Sequence, residues 1–174
     1  MSHKILSPEK VRHDEDYEVH WNYTSFKDKV ILDLGADCGS TANWFFGKEA
    51  KRVIAVECDE NLYNQLVENY KGDMDVIPVK MKVDSSAKIS ELIYLYKPDL
   101  VKVDIEGYET KIMEMKQEFA IMPNEWLIEA HFPEYKDGLV AFFTKLNPYF
   151  IGVYDVLQVH ILHIILRNER RSRR

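Results

Sequence analysis

The sequence lacks the features that are typical of disulfide-rich, secreted and membrane proteins. It contains two cysteines in 174 residues, too few for a disulfide framework. No apolar run follows Met1, and no stretch approaches the roughly 18 uncharged apolar residues of a membrane span. Hydrophobic residues at 46% and charged residues at 30% are typical of a soluble protein. We therefore expect a cytoplasmic protein with neither a signal peptide nor a membrane span.

Basic residues outnumber acidic ones clearly in only one short segment. The net charge is −6, although residues 167–174 carry five arginines against one glutamate. The body of the chain is thus acidic, which argues against a broad nucleic-acid surface. We interpret residues 167–174 as a basic flexible tail, with contact to a polyanion as the alternative.

Short apolar runs alternate along the chain with segments of helical spacing, and this alternation predicts a parallel sheet with helices on both faces. Only three residues separate the last two runs, so this pair is expected to form an antiparallel hairpin. The sequence predicts an α/β fold with a seven-stranded, mostly parallel sheet over residues 30–166, after an N-terminal arm at residues 1–29. The expected strands are 30–34, 52–57, 75–81, 100–104, 126–130, 149–154 and 158–166.

The most informative segment is the apolar run 30–34 with the turn that follows it. Gly35 allows this turn a positive φ, and Gly39 allows the next helix to begin close to a ligand. Glu57 ends the second run and is placed to accept both hydrogen bonds of a ribose diol. These features indicate the first half of a nucleotide-type pocket.

The charge of the turn favours one cofactor over another. A dinucleotide-binding turn has a glycine that lets the backbone approach a pyrophosphate, and Asp37 stands at that position here. A carboxylate repels a pyrophosphate, whereas Asp33 and Asp37 suit a ligand that carries a sulfonium and an ammonium group. The turn therefore favours S-adenosyl-L-methionine (SAM) over NAD.

A second group of acidic residues follows the fourth predicted strand. Asp104 and Glu106 come directly after this strand, where an open α/β sheet has its ligand crevice, so both are expected to face the cofactor. Lys102, within the strand, is a candidate partner for one of these carboxylates. His131 ends the next strand, and the tip of that strand is expected to lie beside the tip of the strand that carries Asp104.

His131 is a candidate general base for an acceptor hydroxyl, because its ordinary pKa lies near neutral pH; a purely structural histidine is the alternative. Asp104, Glu106, Glu129 and His131 could also hold Mg²⁺ or Mn²⁺. No ligand spacing in the sequence is diagnostic of a metal. We therefore expect metal-independent transfer.

Three segments together resemble the signatures of FkbM-type methyltransferases: residues 32–39, 56–59 and 101–109. The resemblance covers residues 30–131, and its Lys-x-Asp-x-Glu-Gly-x-Glu pattern is fairly specific. It implies a class I, Rossmann-like fold, SAM as the methyl donor, and O-methylation of sugars and related small molecules. Asp37 stands where the family usually has Asn or His, and the chain is shorter than most members.

We expect a SAM-dependent methyltransferase that acts on a small-molecule hydroxyl, such as that of a sugar, as a monomer or homodimer. The alternatives are a nucleic-acid or protein methyltransferase that docks through the arginine tail, and a SAM-binding module without turnover. Cys38 and Cys58 follow neighbouring strands, so the sequence is compatible either with a disulfide between them or with two separate thiols. The expected catalytic residues are Asp104, Glu106 and His131, and the expected cofactor-binding residues are Asp33, Gly35, Ala36, Asp37, Gly39, Glu57, Cys58, Val83, Asp84, Ser85 and Asp104.

Overall fold

The computed structural model describes residues 5–7, 10 and 16–166. Its strands are β1 (Val30–Leu34), β2 (Arg52–Glu57), β3 (Val76–Lys80), β4 (Leu100–Val103), β5 (Glu125–Ala130), β6 (Phe150–Val156) and β7 (Val159–Ile165). They form a seven-stranded sheet in the order β3-β2-β1-β4-β5-β7-β6. The predicted mostly parallel sheet that ends in an antiparallel hairpin is therefore confirmed.

The chain divides into two compact units, Met1–Lys82 and Val83–Arg174. In the first unit β1 pairs with β2, and β2 with β3, both in parallel. Nearly every residue of β1 and β2 is buried, as expected for apolar runs covered on both faces. The helices of this unit are α1 (Tyr17–Trp21), α2 (Ser40–Gly47) and α3 (Glu60–Asn69).

The second unit contains parallel and antiparallel pairs. β4 pairs with β5 in parallel, whereas β7 pairs in antiparallel orientation with both β5 and β6. Leu157 and Gln158 alone connect β6 to β7, and Leu157 takes the positive φ of 52° that so tight a turn requires. The helices are α4 (Ser86–Tyr96), the 3₁₀ helix Glu109–Glu114, α5 (Gln117–Ala120) and α6 (Pro133–Thr144).

One predicted helix is wrong in its form. The spacing of Tyr108, Ile112, Met115 and Phe119 predicts a single amphipathic helix, but the structure has the 3₁₀ helix followed by the short α5. Met115 separates them with an extended backbone, at ψ 148°. Ile112 and Met115 are nevertheless buried, so the apolar positions were identified correctly although the backbone between them was not.

The regions predicted before and after the sheet are described only in part. Within the predicted arm 1–29, α1 begins at an Asp16 cap, and Trp21 and Phe26 are buried in the core. The predicted tail 167–174 lies outside the described residues, so both domain boundaries remain predictions. Among residues 5–7, 10 and 16–166, no helix is long and apolar enough to cross a membrane.

Candidate functional site

The turn after β1 has the strained backbone that its glycines predicted. Gly35 and Gly39 take φ values of 82° and 94°, and Asp37 lies between them at 53°. The backbone N–H groups of Gly35 and Ala36 both donate to the carbonyl of Val56, at 3.0 Å, and that of Gly39 donates to the carbonyl of Ala36. The turn is thus held by hydrogen bonds to itself and to the end of β2.

Glu57 is the main side-chain contact of this turn. It is 8% exposed, and its Oε2 accepts a hydrogen bond from the N–H of Asp37 at 2.9 Å. Its Oε1 accepts from the N–H groups of Cys58 and Asp59, both at 2.7 Å. Because Oε2 accepts a single hydrogen bond in the structure, it keeps capacity for one more. In this arrangement a ribose hydroxyl could donate a hydrogen bond to Glu57 Oε2, and the two hydrogen bonds expected from a ribose diol remain a prediction.

Asp33 and Ala36, both expected at the cofactor, are fully buried. The hydroxyl of Thr41, in the first turn of α2, donates to Asp33 Oδ2. This contact joins the end of β1 to the start of α2. Asp33 thus helps to fix the start of the helix. Within the turn, the side chain of Asp37 reaches the surface.

Two residues that support the turn were not assigned to it from the sequence. Asn69 Nδ2 donates to the carbonyl of Cys38 at 2.9 Å, and the hydroxyl of Tyr70 donates to the carbonyl of Gly39 at 3.0 Å. The helical spacing of Leu62, Leu66 and Tyr70 predicts a core position for Tyr70, and it is indeed buried, which raises the pKa of its hydroxyl. No sequence signal distinguishes a core tyrosine from one that also holds a turn.

Gly39 is required by packing as well as by backbone conformation. A Cβ at this position would lie 2.5 Å from Tyr70 Cε2 and 2.9 Å from Leu66 Cδ1. The sequence had explained this glycine by the approach of a ligand. In the structure, the C-terminal end of α3 is the element that approaches Gly39 closely.

The two cysteines are separate free thiols, which resolves the alternatives left open by the sequence. Cys38 is buried and Cys58 is exposed. Partial burial, together with the neighbouring Glu57 carboxylate, raises the pKa of the Cys58 thiol. Cys58 is therefore not an activated nucleophile.

The residues expected at the adenine belong to the second unit, where each has a local contact. Val83 is buried in the core. Asp84 Oδ1 lies 2.7 Å from Lys88 Nζ, and the hydroxyl of Ser85 accepts from the N–H of Lys88 as the cap of α4. These contacts define the start of α4. A role at the adenine remains a prediction.

The second unit brings the three predicted catalytic residues together. His131 Nε2 lies 3.4 Å from Glu106 Oε2 and 4.0 Å from Asp104 Oδ1. Glu129 Oε1 is also near, at 3.7 Å from the same nitrogen. Lys102 is buried in β4, with Nζ 3.4 Å from Asp104 Oδ2, which is the pairing with a carboxylate that its position suggested.

Glu109 organises this cluster, and sequence reasoning gave it no role. It is fully buried, and its Oε1 lies 3.1 Å from His131 Nδ1. The same oxygen accepts hydrogen bonds from the N–H groups of Ile105 and Gly107. Burial raises the pKa of Glu109, but the hydrogen bonds from His131 and the backbone outweigh it, and the pKa is lowered overall. The sequence feature that could have identified Glu109 is its position as the last residue of the Lys-x-Asp-x-Glu-Gly-x-Glu pattern.

These carboxylates change the role expected of His131. The hydrogen bond to Glu109 raises the pKa of His131 to about 9 against the opposing effect of burial, and the charges of Glu109, Glu129 and Asp104 add to the increase. An imidazole with this pKa is protonated at neutral pH. A general base must be neutral before it accepts a proton, so this raised pKa opposes such a role at neutral pH, and the role of His131 in catalysis remains a prediction.

Comparison with known proteins identifies the architecture. No family model matches the sequence. A relative at 29% identity over 116 residues is uncharacterized protein 158B of Sulfolobus islandicus rod-shaped virus 1, with 64% of this chain and 70% of that protein covered. Ribosomal protein L11 methylase from Lactobacillus delbrueckii subsp. bulgaricus has a similar structure, with a TM-score of 0.63 and 15% identity over 94% of this chain and 84% of that one.

Aeropyrum pernix fibrillarin, solved with natively bound SAM, is similar as well, with a TM-score of 0.59 and 14% identity over 80% of this chain and 67% of that one. The fold is that of a Rossmann-like methyltransferase. In this methyltransferase fold, Glu57 ends β2, and Asp104 and His131 follow β4 and β5. The candidate residues of each unit thus lie at the carboxyl ends of parallel strands, where open α/β sheets bind their ligands.

Proposed function

We propose that this protein is a SAM-dependent methyltransferase. The observation that supports the cofactor best is the turn after β1, whose backbone N–H groups from Gly35 to Gly39 are all engaged within the first unit. A pyrophosphate is bound by unengaged N–H groups at such a turn. With those groups used and Asp37 at the surface, the turn favours a cationic ligand over a dinucleotide.

The residues of the turn fit the parts of SAM by their chemistry. Asp37 offers a carboxylate to the ammonium group, and Glu57 Oε2 retains capacity for a ribose hydroxyl. Asp33, Gly39 and Tyr70 act as positioning residues, because they are buried and hold the turn in place. SAM supplies an electrophilic methyl group, so the work of the chain is to bind and orient both reactants.

For the acceptor we propose a hydroxyl of a small molecule, such as a sugar. The resemblance to FkbM-type methyltransferases supports this class, since its most specific segment contains Lys102, Asp104, Glu106 and Glu109. In the structure these residues form one cluster with His131. Carboxylates and an imidazole are suited to hydrogen bonds with hydroxyl groups. We assign Asp104, Glu106 and His131 to contact with the acceptor.

Calorimetry tests the cofactor, with SAM, its demethylated product and NADH titrated separately. We expect SAM and the product to bind and NADH to give no heat. Binding of NADH without SAM would overturn the proposal. Saturable SAM binding in the absence of any methylated product would point to a binding module without turnover.

A labelling experiment tests the acceptor. The protein is incubated with radiolabelled SAM and a fractionated extract of its source, and each fraction is counted. We expect label in the small-molecule fraction. Label confined to protein or nucleic acid would contradict the small-molecule acceptor and leave SAM-dependent methylation intact.

A further inference from the structure

The cluster at the ends of β4 and β5 has the composition and geometry of a cation site. Asp104, Glu106 and His131 each offer one ligand atom, and these atoms lie within 4.8 Å of one another. In an octahedral site with metal–ligand distances near 2.1 Å, neighbouring ligand atoms are about 3.0 Å apart and opposite ones about 4.2 Å. The separations from His131 Nε2, 3.4 Å to Glu106 and 4.0 Å to Asp104, fall between these values.

The buried carboxylate of Glu109 is an independent indication. Its Oε1 holds His131 Nδ1 at 3.1 Å, so the other ring nitrogen, Nε2, is directed to the side of Asp104 and Glu106. Histidines that bind metals almost always have their second nitrogen held in this way. Oε2 of Glu109 is buried and has no hydrogen-bond partner among the described residues. A buried carboxylate with one unsatisfied oxygen is costly, and a cation bound by the neighbouring ligand atoms would reduce that cost.

The balance of charge supports the same interpretation. Glu129 Oε1 lies 3.7 Å from His131 Nε2, which adds a fourth carboxylate to those of Asp104, Glu106 and Glu109. Lys102 is paired with Asp104 and brings a positive charge to this group. A divalent ion bound by Asp104, Glu106 and His131 would offset negative charge of these carboxylates.

We propose that Asp104, Glu106 and His131 bind a divalent cation of the Mg²⁺ or Mn²⁺ class, with Glu109 as the residue that orients His131. Two carboxylates and one imidazole suit these ions better than zinc, which prefers sulfur and nitrogen ligands. Three protein ligands leave positions of an octahedral ion for water or an acceptor. This part alone rests on the proposed function: an acceptor hydroxyl bound to the ion would lose its proton more readily.

Electron paramagnetic resonance with Mn²⁺ alone tests the site, without SAM or an acceptor. We expect one Mn²⁺ per chain, with displacement by excess Mg²⁺. Glu106→Gln should weaken binding at least 10-fold, and because the Glu106 side chain is 86% exposed, this variant should fold normally. Asp104→Asn serves as a second variant. Glu118→Gln, at an exposed glutamate in α5, is the matched control and should bind like the wild type.

The outcomes separate this site from the proposed function. Absence of Mn²⁺ binding at millimolar concentration, or equal affinity in the wild type and both ligand variants, would overturn the metal site. SAM binding could still be found in either case. A protein that binds Mn²⁺ as expected but binds NADH and not SAM would retain the metal site and lose the proposed methyltransferase activity.

Discussion

Oε2 of Glu57 accepts a hydrogen bond from the backbone N–H of Asp37, 20 residues earlier in the chain, at 2.9 Å. The acid that ends β2 thus holds the turn that follows β1. Its other oxygen is fixed by the N–H groups of Cys58 and Asp59. The carboxylate is therefore oriented before any ligand arrives, which lowers the entropy cost of binding one.

Replacement of this carboxylate should reduce cofactor binding. Glu57→Ala removes a charge-assisted hydrogen bond and the support of the turn, so we expect a loss of about 1–3 kcal/mol in SAM affinity. Isothermal calorimetry measures it. Glu60→Ala is the control, since the Glu60 side chain is 74% exposed and pairs with Lys80 at the surface. Equal SAM affinity in the two variants would remove Glu57 from the site.

The glycine that caps α2, Gly39, and the glycine that ends it, Gly47, should respond in opposite ways to alanine. Gly39→Ala forces a Cβ to 2.5 Å from Tyr70 at a φ of 94°, so we expect destabilisation of more than about 2 kcal/mol. A Cβ at Gly47, within the same helix, meets nothing within 4 Å. Gly47→Ala should thus be neutral or stabilise by up to about 1 kcal/mol. Urea denaturation of both variants checks this, and equal midpoints would contradict the packing argument.

The hydroxyl of Tyr70 should contribute measurably to stability. Tyr70→Phe removes one of two hydrogen bonds to the carbonyl of Gly39, which also accepts from the N–H of Asn43, so we expect a loss of about 0.5–1.5 kcal/mol. Tyr94→Phe, at a residue 64% exposed, should leave the free energy of unfolding unchanged. Chemical denaturation followed by tryptophan fluorescence compares the two. If Tyr70→Phe unfolds at the wild-type midpoint, the hydrogen bond contributes nothing to the turn.

The His131 cluster should make stability depend on pH in the metal-free protein. The pKa of His131 rises from 6.5 in its ordinary state to about 9 in the folded protein, so the folded state holds a proton that the unfolded state releases. This stabilisation is fully present below pH 6.5 and is lost as the pH rises to about 9.

Denaturant midpoints measured with a chelator, for the wild type and His131→Gln, check this dependence. The difference between the two proteins should shrink from pH 6.5 to pH 9. A difference that stays constant over this range would show that the folded protein does not raise the pKa of His131.

Local patterns in the sequence determined the strands well. The predicted bounds of β1 and β2, 30–34 and 52–57, agree with the structure, because each apolar run ends at an acid or glycine that stops the strand. The β6–β7 hairpin followed from the short connection alone. The single helix predicted over Tyr108–Phe119 is wrong. The same repeat of apolar positions is also compatible with a 3₁₀ helix, an extended residue and a short α-helix, which is what the structure has.

What the sequence could not determine is which side chains meet across the fold. It placed Asp104, Glu106 and His131 at the ends of two strands, but the partnership of Glu109 with His131, 22 residues apart, exists only in the folded chain. The same holds for Tyr70 and the carbonyl of Gly39. Residue type sets the ordinary pKa and the hydrogen-bonding capacity of a side chain, whereas the carboxylates packed around it decide its charge. For this reason Asp104, Glu106 and His131 were predictable, whereas the part of Glu109 and the protonation of the histidine were not.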